Sequence, residues 1–369
     1  MRTLRDCLPM GSSILLLNLV IVGSPSDKAV ESPKPQYEHG ETRIPAASAG
    51  EPKREFSLKH AEDYLTRGAE AWAGQKKCVS CHTTAYYLQT FPRLHKHLGK
   101  PSKKMRDFFV AEFEELKGSA PKKFERGTST AQVVYIAAGL AQWDRHITGK
   151  LSSETRAALD FMFDLQLENG TWQSLACWPP YESSAYQEAT VALSAVIEAP
   201  GWLDAGKAGK LLRLKRYLRE NDPPHDYARV LLLRAGLQSK DLLDDTRRGA
   251  ITKRIWELQR ADGGWSIRSF AKPDEWGDGD RTKKLQREPE FKNPPSDGHM
   301  TGLCVSILRD AGVPSSDPRI KKAVSWLLNN QRESGRWWTR SLNTDKYHFI
   351  TYSGTCYPLI ALAKCGELD

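Results

Sequence analysis

The residues best suited to chemistry are Cys78-Val79-Ser80-Cys81-His82. Two cysteines separated by two residues, with a histidine next, form the attachment pattern of c-type haem: both sulfurs make thioethers and His82 becomes an axial ligand. The same spacing also suits a Cys78–Cys81 disulfide or a structural metal site. Cys304 and Cys356 sit in apolar runs and read as core, while Cys177 and Cys365 are undecided. Other ionisable groups cluster as Pro224-His225-Asp226, Asp297-Gly298-His299 and Asp345-Lys346-Tyr347-His348. Any of His299, His348 or Met300 would give a haem a sixth ligand if the fold brought it across; otherwise the iron is five-coordinate. The chain has 11 Trp, whose faces suit a carbocation or a sugar ring.

These residues must be positioned by helices. The pattern Gln-x-x-x-Gly-x-Trp occurs at Gln166 to Trp172, Gln259 to Trp265 and Gln331 to Trp337, each time after an apolar run of helical period. The glycine reads as a helix stop, and the Gln and Trp as ties to the next helix. Pairs of periodic runs fill the chain: Ser57 to Ala73 with Ala85 to Phe91, Lys103 to Leu116 with Thr130 to Trp143, and Ser152 to Leu167 with Ser184 to Ile197. Asp204 to Leu218 then pairs with Tyr227 to Ala235, Asp241 to Leu258 with His299 to Leu308, and Asp317 to Leu328 with Thr351 to Ala363. The second run of each pair is the more apolar, as in Tyr135-Ile136-Ala137-Ala138-Gly139-Leu140, which makes it an inner helix. The expected fold is all-α, a single (α/α)6 toroid of helical hairpins. All outer-to-inner connections then share one rim. That rim carries Cys78 to His82, Trp178-Pro179-Pro180-Tyr181-Glu182, His225, Asp297, His299 and His348, with Ser266 to Pro295 as an expected lid over a central cavity.

The repeats carry a family resemblance. Lys322-Ala323, Trp326-Leu327, Gln331, Gly335 and Trp337 resemble a complete QW repeat of squalene-hopene and oxidosqualene cyclases. Arg156-Ala157, Phe161-Met162, Gln166, Gly170 and Trp172 are a near copy, and the middle repeat keeps only its Gln-to-Trp end. In that family the repeat ties outer helices together, so the resemblance implies the toroid shared with protein prenyltransferases and speaks less of chemistry. Its protonating Asp-x-Asp-Asp-Thr motif is matched here by Asp241-Leu242-Leu243-Asp244-Asp245-Thr246, with Leu242 where the first Asp belongs. The acids therefore read as a helix cap. Asp297, His299 and His348 loosely resemble the zinc site of the prenyltransferases, where His299 replaces a Cys, and are the candidate catalytic and metal-ligating residues.

The formal charge of +9 over 369 residues points to acidic partners. The cations of Lys207 to Arg219 alternate with leucines, as on a solvated helix, so no nucleic-acid partner is expected. Residues 1–26 have the layout of a secretory leader or N-terminal anchor. Residues 27–55 read as a disordered linker rich in Pro, Glu, Lys and Ser, and 56–369 as the toroid. The protein is expected to be exported, periplasmic or membrane-anchored facing the periplasm, with peripheral membrane contact as a further partner. Three functions fit: a squalene-cyclase-like or prenyltransferase-like toroid acting on or binding an isoprenoid or other apolar molecule in a central cavity; an exported c-type haem redox or sensor protein; or an acidic-polysaccharide lyase or binding protein. The cofactors in question are c-type haem and zinc.

Overall fold

A computed structural model describes residues 34–176, 178–181, 184–203 and 208–368; the leader lies outside the described residues. A short hairpin, β1 (Tyr37–His39) and β2 (Thr42–Ile44), precedes the helices. These are α1 (Leu58–Lys76), α2 (Thr84–Thr90), α3 (His95–Leu98), α4 (Lys103–Lys117), α5 (Ser129–Trp143), α6 (Ser153–Asp164) and α7 (Ala185–Glu198). They continue as α8 (Ala208–Glu220), α9 (Asp226–Gln238), α10 (Asp245–Glu257), α11 (Thr282–Arg287), α12 (Gly298–Asp310), α13 (Pro318–Leu328) and α14 (Ile350–Cys365).

Helices α2, α5, α7, α9, α12 and α14 pack in that order, and α14 returns to α2, which closes an inner ring. Around it stand α1, α4, α6, α8, α10 and α13, each against an inner partner. The expected (α/α)6 toroid is therefore the fold. Residue chemistry explains the two layers. Nearly every side chain of α5 and α14 is buried, whereas α13 buries one stripe, Ile320, Ala323, Val324 and Leu327. Helix α13 begins with Asp317 capping Arg319 N and Pro318 in the first turn, where the absent N–H costs nothing. Among the described residues no helix is long and apolar enough to cross a membrane.

The three repeats share one geometry. The indole nitrogens of Trp172, Trp265 and Trp337 donate to the carbonyls of Met162, Ile255 and Leu327 at 2.7, 2.7 and 2.8 Å. Each Gln amide donates twice, to the Gly of its own turn and to the start of the next outer helix: Gln166 to Lys210 O, Gln259 to Arg319 O and Gln331 to Ser57 O. The last tie joins the sixth hairpin to the first. The glycines do not end the helices, which stop at Asp164, Glu257 and Leu328. Instead they turn the chain at φ of 93°, 93° and 89°, where a Cβ on Gly170, Gly263 or Gly335 would strike the backbone of the next outer helix.

Two expectations are corrected. The supposed linker is fixed from Lys34 onward, with Tyr37, Ile44 and Ala47 buried. The buried Arg336 guanidinium holds it through Glu51, Gln36 and the carbonyls of Pro45 and Ala46. A few anchors fasten a polar stretch because each finds a specific partner. The Ser266 to Pro295 insert is anchored in the core: Ile267, Phe270, Trp276 and Leu285 are buried, and Arg268 is paired inside with Glu288 at 2.7 Å.

Candidate functional site at the rim

The outer-to-inner connections enclose a cavity of about 410 Å³. The first connection contributes Cys78 to His82, the third Trp178, Pro179 and Tyr181, and the sixth Ser341, Tyr347 and Phe349, with Trp72 of α1 behind. All three residues of the cysteine–histidine motif thus face one space. The Ser80 hydroxyl accepts from Thr83 N, and Ser80 N donates to Thr84 Oγ1, which folds the motif onto the start of α2. Trp72 Nε1 donates to the carbonyl of Cys78 at 3.1 Å.

His82 is held on three sides. Its ring stacks on Phe349 at 4.7 Å and 11°, and meets Trp72 edge-on at 4.6 Å. Nδ1 hydrogen-bonds Thr83 Oγ1 at 2.9 Å, and Thr83 is bonded in turn to Tyr37 OH at 2.8 Å. Burial pushes the imidazole pKa down to about 3, so the ring is neutral. With Nδ1 engaged by a hydroxyl, Nε2 is the nitrogen left for a ligand, the arrangement a ligating histidine requires.

Asp297, His299 and His348 are not brought together in a metal site. Asp297 caps α12, with Oδ1 accepting from Met300 N and Oδ2 from Ile267 N, and burial raises its pKa to about 6. His299 lies in the toroid centre, with Nδ1 2.8 Å from Ser353 Oγ and Nε2 3.2 Å from Tyr227 OH. His348 Nδ1 accepts from Ser341 N, and its ring packs on Trp338. Among the described residues no three His, Cys, Asp or Glu side chains form a group that could hold a metal ion, Cys78, Cys81 and His82 included. The expected zinc site is thereby corrected, because each of its members is already committed to local hydrogen bonds. None of His299, His348 and Met300 is among the residues lining the rim cavity.

The expected central cavity is also corrected. Tyr86, Tyr135, Tyr227 and Tyr357 converge from the inner helices on the axis, beside His299, and leave about 20 Å³, room for about one water. The acids of the imperfect cyclase motif are on the outside: Asp241 pairs with Lys215, Asp244 caps α10 and Asp245 pairs with Arg248, while Leu242 is buried. Among the described residues lining the rim cavity none is Lys or Arg.

Sequence reasoning placed Tyr181 on the rim but missed Thr83 and Phe349 as partners of His82. The aromatics that follow Pro180 and His348 were a visible signal, since an aromatic beside a rim loop has little else to pack against than the site.

No family model matches the chain. A stretch of 58 residues is 38% identical to the squalene–hopene cyclase of Zymomonas mobilis subsp. mobilis, covering 15% of this chain and 8% of that cyclase. A solved polysaccharide lyase aligns over 83% of this chain and 98% of its own, at 10% identity and TM-score 0.50. The apo type II terpene cyclase MstE from Scytonema aligns over 83% and 97%, at 14% identity and TM-score 0.45. These likenesses bear on the fold alone, an α/α toroid.

Proposed function

We propose that the protein is a squalene-cyclase-like toroid that holds an apolar prosthetic group at its rim, and that this group is c-type haem. The observation that carries the reading is that Cys78, Cys81 and His82 line one cavity of about 410 Å³. Each thiol would add across a vinyl group, its sulfur forming a C–S bond and its proton passing to the neighbouring carbon, so attachment consumes no oxidant. His82 would bind iron through Nε2, while Thr83 keeps Nδ1 engaged and Phe349 fixes the ring plane. Bound haem would supply electron-transfer or small-ligand chemistry. Trp72, Trp178, Tyr347 and Phe349 would cover its faces and keep water away. The leader expected at residues 1–26 fits this reading, because export delivers the chain to the compartment of haem attachment.

Expression with a haem-maturation system tests it. The product should be red, its colour should survive denaturation, and Cys78→Ser/Cys81→Ser should abolish it. A second reading is favoured by the aromatic walls: an isoprenoid held without covalent attachment in the same cavity. A colourless protein carrying a lipid mass in native mass spectrometry would replace the haem reading with this one. Alkene protonation is the part of cyclase chemistry with least support, because the acids that should drive it face solvent on α10.

A further inference from the structure

The axial space of about 20 Å³ borders α9 from Tyr227 in its first turn to Gln238 at its end. Arg234 of the same helix lines it, half-buried, and among the described residues makes no ion pair and no side-chain hydrogen bond. Its neighbours sharpen the imbalance. Arg93 and Lys364 are close enough to repel it, and the acids beside them are taken, Glu198 by Arg93 at 2.6 Å and Asp310 by Lys364. The walls offer protons instead of negative charge. Gln89 Nε2 is buried and meets no acceptor among the described residues. Tyr86 and Tyr357 bond hydroxyl to hydroxyl at 3.1 Å, which uses one of their two protons and leaves the other to donate. Burial holds the Tyr86 and Tyr227 phenols well above their usual pKa, so neither supplies a charge to balance Arg234. Gln238 Oε1 lacks a donor among the described residues, but a neutral amide oxygen does not offset a full guanidinium.

We propose that this axial pocket binds a small monovalent anion of the chloride class between Arg234 and Gln89. A cation half out of water with no counter-charge is costly, and an anion within hydrogen-bond reach removes that cost. Size selects the occupant: a water needs roughly 10–15 Å³ of such space, so about 20 Å³ takes a single-atom anion and is tight for a tetrahedral oxyanion. Gln89 belongs to α2 and Arg234 to α9, which stand opposite each other in the inner ring. A shared anion therefore braces the ring across its axis and stabilises the closed fold by mass action. The pocket has no residue in common with the rim cavity, so the proposal stands apart from the haem reading.

Thermal unfolding of the full chain tests it, with sodium gluconate replaced stepwise by sodium chloride or bromide at constant ionic strength. Either halide should raise the Tm of the parent, and of Lys321→Gln, which removes an exposed charge, relative to that of Arg234→Gln. The halide concentration giving half the shift should rise about tenfold or more in Arg234→Gln, the worth of a charge-assisted hydrogen bond, and should rise in Gln89→Leu as well. In gluconate alone Arg234→Gln should be at least as stable as the parent, because it deletes an uncompensated charge. A bromide-soaked crystal of the parent should show an anomalous peak beside Arg234. An unchanged halide response in Arg234→Gln, or bromide found at surface positions only, overturns the proposal. So does an Arg234→Gln chain that fails to fold in gluconate, since the charge would then have its partner within the fold.

Discussion

Gly335 and Gly312 offer a matched pair for testing how the ring closes. Both have φ of 89°, so replacement by Ala imposes the same left-handed penalty, roughly 1–2 kcal/mol. Their surroundings differ. A Cβ on Gly312 meets nothing within 4 Å, whereas one on Gly335 would lie 2.1 Å from the carbonyl oxygen of His60. That oxygen is backbone in the first turn of α1 and cannot rotate away, so the sixth hairpin has to move from the first. Overpacking of this kind adds roughly 1–3 kcal/mol, and Gly335→Ala should cost roughly 2–5 kcal/mol in all. Urea titration followed by far-ultraviolet circular dichroism measures both variants, provided the slope against urea is unchanged. Equal losses at the two positions would refute the claim that Gly335 seals the ring by close backbone approach.

Three further outcomes follow from the same structure. Trp337→Ala should destabilise by about 3–5 kcal/mol, since it removes a fully buried indole together with its hydrogen bond to the Leu327 carbonyl; Trp337→Phe should recover part of the loss in the same titration. Glu288→Ala should cost at most about 3–5 kcal/mol, since it leaves the buried Arg268 guanidinium only the longer contact with Glu290 at 3.6 Å, and because Arg268 also holds the carbonyl of Ser341 it should weaken ligand retention in the rim cavity. Burial depresses His225, His299 and His348 to about 4, 3 and 4, so each contributes stability that is fully present above the unfolded value of about 6.5 and is lost as pH falls through the folded value. Asp297, raised to about 6, acts oppositely: its contribution is present below about 4 and lost as pH rises to 6. The histidines outnumber it, so urea midpoints should fall from pH 6.5 downward, and His299→Gln should make that fall shallower.

The paired helices and the three repeats were legible in the sequence because they are local. An apolar stripe of period 3.6 and an inner helix apolar all round both record their own surroundings. The limits of that reading are local as well. The segment at residues 27–55 looked like a disordered linker because its few anchors, such as Tyr37 and Glu51, are scattered, and only the distant Arg336 shows what they bind. The insert looked like a lid because its burial depends on Arg268 meeting Glu288 and on Trp276 reaching the core.

By itself the sequence determined the all-α toroid, the ties between outer helices and the presence of Cys78, Cys81 and His82 on one rim. Tertiary structure alone decided where the usable space lies. Tyr86, Tyr135, Tyr227 and Tyr357 come from four different inner helices, and nothing in their individual spacing shows that they meet and fill the axis. In the same way Phe349, some 267 positions after His82 in a chain where 349 − 82 = 267, becomes its stacking partner only because α14 closes against α2. Local pattern records whether a side chain is buried, and the identity of what buries it is a property of the closed ring.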